Sequence, residues 1–115
     1  MAKYSVPVSV SDRHRLLFNN SPSSSELSRW GNAHHDAGLL HDALEFYKAA
    51  KDEASLARLE GEAVEAADLV LYVNTCRALG GEPRTEDLKK LKENALALGK
   101  KTVAARVDVL LIPKN

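Results

Sequence analysis

Several things are scarce in this chain, and each scarcity excludes something. There is one cysteine among 115 residues. A lone thiol forms no internal disulfide, so packing alone has to hold the fold, and a reducing compartment is expected. Aromatic residues are 5% of the chain, while alanine and leucine are abundant, a balance that favours helices over a β-sandwich. No apolar run approaches the roughly 20 residues that span a bilayer. The first ten residues, MAKYSVPVSV, contain no apolar core or cleavage pattern of a secretory leader, so a cytoplasmic location is the expectation. Net charge is also missing: 16 basic residues balance 16 acidic ones. That balance argues against a dedicated electrostatic nucleic-acid binder.

What remains is an ordinary globular composition, long enough for one small domain with its own core. Charge is unevenly spread within it. The block from His41 to Asp68 is acidic, with Asp42, Glu45, Glu53, Glu60, Glu62 and Glu65 among its members. The stretch after Arg84 is basic, carrying Lys89, Lys90, Lys92, Lys100, Lys101 and Arg106. Two solvated helix faces account for this polarity, and steering of a partner is the alternative.

Residues 1–22 read differently from residues 23–115. In YSVPVSV, Tyr4, Val6, Val8 and Val10 alternate with Ser5, Pro7 and Ser9, a strand-like period that Pro7 confines to an edge or an extended arm. Asn19, Asn20, Ser21 and Pro22 form a polar connector. The expected organisation is an extended arm over 1–22 and a single helical domain over 23–115.

The helical part opens with Ser23 and, three residues on, Glu26, the signature of a capping box. A first helix is predicted from Ser24 to the stop at Gly38, with Leu27, Trp30 and His34 on one stripe. A second runs from about Leu40 to Asp52, and the short link makes the two antiparallel neighbours. From Ser55 to Leu79 the periodicity predicts one long helix, with Gly61 as its weakest point. Its LVLYV run (69–73) admits a short strand as the alternative. Thr85 is the expected cap of the next helix, which Gly99 ends. A last helix is predicted over about Lys101–Leu111, stopping before Pro113, with a terminal strand as its alternative. The fold class is therefore all-α, about five helices in antiparallel hairpins.

The first hairpin resembles a tetratricopeptide repeat, a helix-turn-helix unit of 34 residues. Leu27 and Trp30 stand at the large positions of the family's first helix, Gly31 at its small position and Gly38 at the turn. Ala43, Tyr47 and Ala50 match the small, aromatic and small positions of the second helix. His34 departs from the pattern, where a large apolar residue is usual, and Ser55 stands near the usual closing proline. A shift of 34 residues meets Tyr72 and Arg77 instead of small residues, so no second repeat is evident. Gly99 and Ala104 give a faint echo of Gly38 and Ala43. The resemblance implies a groove lined by the first helix, with Ser28, Asn32, His35 and Asp36 facing it. It implies a protein or peptide partner.

Other chemistry finds less support. His34 and His35 diverge by about 100° on a helix, and the Gly38 turn separates His34 from His41. No HExxH-like motif is present. Cys76 sits in an apolar stretch, as a buried thiol does. Gly80-Gly81 lacks the lysine that follows in a phosphate-binding loop. The expectation is thus a non-catalytic binding adaptor with no cofactor and no metal. Self-association is a further use of its surfaces. The alternatives are a nucleic-acid-binding regulator using the basic C-terminal helices, and a histidine-dependent metal protein or enzyme.

Overall fold

The structure, a computed structural model, describes residues 6, 8, 9, 15–19 and 23–112. Every regular element among these residues is helical. A single π-helical turn, Arg15–Asn19, precedes six α-helices: α1 (Ser24–Asp36), α2 (Leu40–Ala50), α3 (Glu53–Glu65), α4 (Leu69–Ala78), α5 (Thr85–Ala97) and α6 (Lys101–Leu111). The expected strand pattern over residues 4–10 lies mostly outside the described residues. Runs 69–73 and 107–111 are both helical.

The expected long helix from Ser55 to Leu79 is two helices, so six replace five. The chain turns at Ala67, which adopts the left-handed conformation at φ 54°, and Asp68 restarts it by accepting a hydrogen bond from the Leu71 amide at 3.1 Å. An aspartate side chain satisfies one of the donors that a new helix leaves open. Gly61, the expected weak point, lies inside α3. Thr85 is the first residue of α5 and not its cap; Arg84 holds that position, and its side chain makes no capping bond to the helix backbone.

Three hairpins result, α1–α2, α3–α4 and α5–α6. Their first helices each have 13 residues and their second helices 11, 10 and 11. They begin at residues 24, 53 and 85, offset by 29 and then 32 residues, which is why a shift of 34 misses them. The three turns repeat one bonding pattern. Leu39 bonds back to the His34 carbonyl, Asp68 to Ala63 and Lys100 to Ala95. Each is the long bond of a helix stop with a left-handed residue before it, here Gly38, Ala67 and Gly99. Equivalent positions share burial: Leu27, Leu56 and Leu88 are buried, as are His34, Ala63 and Ala95.

Two compact units divide the chain, residues 1–56 and 57–115. In the first, α1 packs on α2 around Leu27, Ala43, Leu44, Phe46 and Tyr47. In the second, α5 packs on α6, and Leu59, Leu71, Tyr72, Leu91 and Val107 are fully buried.

Candidate functional site

Helix α1 starts where Ser23 accepts a hydrogen bond from the Glu26 amide at 3.1 Å, the expected cap. Its apolar face presses closely on α2 at Gly31. A β-carbon there would stand 2.5 Å from Cε1 of the Tyr47 ring, inside any permitted contact, so only glycine lets these helices approach this far. Tyr47 is fully buried, and its hydroxyl donates to Asn32 Oδ1 at 2.7 Å.

The polar face of α1 carries the four residues implied by the resemblance. Asn32 is exposed; its oxygen is taken by Tyr47, and the donor hydrogens of its amide are not part of that bond. Ser28 is half-buried and donates to Asp52 Oδ2 at 2.9 Å. Asp52 also caps α3, accepting from the Ser55 amide at 3.1 Å and the Ser55 hydroxyl at 2.7 Å. His35 is half-buried with Nδ1 3.6 Å from the exposed Asp36 carboxylate. Ser28 and Asn32 thus tie the hairpin together, while His35 and Asp36 extend the same face toward solvent.

The histidines part company. His34 is fully buried, its Nδ1 2.8 Å from the Trp30 carbonyl and its ring 5.0 Å from that of Phe46. His41 is exposed. Among the described residues no three His, Cys, Asp or Glu side chains are grouped to hold a metal ion, and no helix is long and apolar enough to cross a membrane.

A denser polar cluster lies in the second unit. Tyr72 donates to Asp87 Oδ2 at 2.9 Å and accepts from the Arg84 amide at 3.1 Å. The Arg84 guanidinium bonds Asp87 Oδ2 through Nε at 2.9 Å and binds Glu60 through Nη2. The Cys76 thiol, buried and free, lies 3.4 Å from Glu60 Oε2. Burial pushes the Tyr72 phenol well above its ordinary range, and the Asp87 carboxylate adds to the shift. Burial also pushes the Cys76 thiol up, so the thiolate needed for nucleophilic attack is disfavoured. Glu60 holds Arg84 charged. A cleft of 240 Å³ opens beside this cluster, lined by Glu60, Glu65, Arg84, Asp87 and Lys90 among others. Its groups are scattered over residues 60–87, and no spacing in the sequence connects them.

The basic C-terminal helices spend part of their charge internally. Lys92 pairs with Asp108 at 2.7 Å, and Lys100 donates to the Ala66 carbonyl at 2.7 Å. No family model, curated protein or solved structure matches the chain.

Proposed function

We propose that the chain is a non-catalytic protein- or peptide-binding module whose first hairpin is tetratricopeptide-like. Its partner docks on the polar face of α1 formed by Ser28, Asn32, His35 and Asp36. The observation that carries this reading is the approach of Gly31 to the buried Tyr47 ring. It supports the resemblance at a small and an aromatic position, where the family's helix pair needs them. The bond from Tyr47 to Asn32 adds a physical role: it fixes Asn32 on the surface, so less side-chain entropy is lost when a partner engages it.

The test is affinity capture with the full chain, followed by titration of the purified partner against wild type and the double variant Asn32→Asp, His35→Ala. Aspartate keeps an acceptor for the Tyr47 hydroxyl, so the hairpin is retained, which circular dichroism checks. Binding at least tenfold weaker is expected. Unchanged affinity of the folded variant would remove the α1 face as the docking surface.

A further inference from the structure

The first hairpin has a second face, away from Ser28 and Asn32 around α1. Leu27, Phe46 and Ala50 are buried there, with Trp30 partly buried beside them, and the residues packed over them come from the start of the chain: Val8, Leu16 and Leu17. Phe46 is fully covered, and its ring stacks on Trp30 at 6.2 Å and 24°. Leu16 and Leu17 belong to the π-helical turn Arg15–Asn19, and both are only half-buried. Beside Leu17 a cavity of 390 Å³ remains, lined also by Glu45, Lys48, Ala49 and Lys51. The aliphatic side chains therefore cover the face without filling the space next to it.

Against the Phe46 ring, a buried nitrogen of His34 is left over. A carbonyl can only accept, so the bond from His34 Nδ1 to the Trp30 carbonyl gives Nδ1 the proton. Nε2 of the neutral ring is then an acceptor. It is buried and meets no hydrogen-bond partner among the described residues. Buried acceptors are ordinarily satisfied. The face thus combines an aromatic floor, room beside Leu17, and an adjoining acceptor with no donor among the described residues.

We propose that this face is a docking site for a peptide segment of another protein bearing two adjacent aliphatic side chains. In the resting chain, the pair Leu16–Leu17 together with Val8 acts as its intramolecular occupant. The chain's own segment identifies the chemistry that the face accepts. Its half-buried side chains make it a cover and not part of the floor. A tethered occupant competes at high effective concentration, so the face takes an outside segment weakly until the tethered one is released. This site is separate from the α1 polar face and does not rest on it.

The probe is a fluorescein-labelled peptide copying residues 4–20, titrated by anisotropy against the full chain and against the full-length variant Leu16→Asp, Leu17→Asp. Trp30 is the sole tryptophan and packs against the same cluster as the cover, so its emission is the second readout. The variant is expected to bind the peptide at least tenfold more tightly than wild type does. Its Trp30 emission shifts to longer wavelength and returns when peptide is added, and a scrambled peptide leaves both signals unchanged. The folded double variant Asn32→Asp, His35→Ala should match wild type here, which separates this site from the α1 face. Peptide binding no tighter than wild type, or unmoved Trp30 emission, overturns the proposal. Leu17→Ser alone serves if the double aspartate variant unfolds. Unfolding of both variants would also overturn it, because the segment would then be indispensable core.

Discussion

Replacing Gly31 with alanine sets two effects of known sign against each other. In a helix interior, alanine is favoured over glycine by about 1 kcal/mol. Here the added methyl would lie 2.5 and 2.6 Å from two carbons of the Tyr47 ring. That ring is rigid, fully buried and tied by its hydroxyl to Asn32, so it can yield only by moving α2 or breaking the bond. Overpacking of this kind costs roughly 1–3 kcal/mol, and a lost hydrogen bond about 1 kcal/mol more. The net expectation for Gly31→Ala is a loss of about 1–3 kcal/mol, which is on the order of 5–10 °C in Tm for a chain of this size. Gly61→Ala is the matched control. Gly61 is also inside a helix, exposed, with nothing within 4 Å of the added carbon, so the same change should stabilise by about 0.5–1 kcal/mol. Urea unfolding followed by far-UV circular dichroism measures both, and Trp30 fluorescence reports separately on the first unit. If Gly31→Ala proved as stable as wild type, the close approach of α1 and α2 would not be what requires glycine.

Three further outcomes are expected. Asp52→Ala removes the acceptor shared by Ser28 and Ser55 and should cost about 1–2 kcal/mol in thermal or urea unfolding. Lys51 is exposed and left-handed at φ 56°; Lys51→Gly relieves that conformation, so its unfolding midpoint should rise by an amount worth about 0.5–1 kcal/mol. Stability should fall at alkaline pH. Tyr72 and Cys76 are both raised in the folded state from reference values of 10.0 and 9.0. Their contribution is therefore complete below about pH 9 and declines above it, as the unfolded chain ionises first. A pH series of urea midpoints should show this decline, and Tyr72→Phe should flatten its upper part.

Signals that act locally were legible in the sequence. Ser23 and Glu26 announce the start of α1, and Gly38 and Gly99 announce two turns, because glycine at a helix end is a chemical requirement visible at one position. The polar stripe on α1 is legible too, being a matter of spacing along a single helix. Ala67 is not, since an alanine carries no mark of a left-handed turn, and the stop at residues 66–68 exists through bonds to Val64 and Ala63 that tertiary packing makes worthwhile. The repeat of hairpins was hidden for a related reason: the links between them differ in length, so no constant shift aligns them. The Tyr72, Asp87, Arg84 and Glu60 cluster joins residues as many as 24 apart in sequence. Only folding brings these side chains together. For Ser28 and Asn32 the sequence indicates a polar face, but nothing in it foretells that Asp52 and Tyr47 engage them.

The repeated turn divides the chain into segments of unequal tolerance to length. Each hairpin is closed by the same short stop, at 37–39, 66–68 and 98–100. One residue added there would rotate the following helix by about 100° and carry its buried stripe into water. The links after α2 and α4 differ already, two residues in one case and six in the other, while the helices on either side keep their lengths. Those links begin with the same stop, Asp52 bonding back to Tyr47 and Gly81 to Cys76, so what varies is only the number of residues that follow it. A tag, label or cleavage site inserted between Glu82 and Pro83, past the stop at Gly80–Gly81 and before Arg84, should therefore be accommodated where the same insertion at Gly38, Ala67 or Gly99 would not.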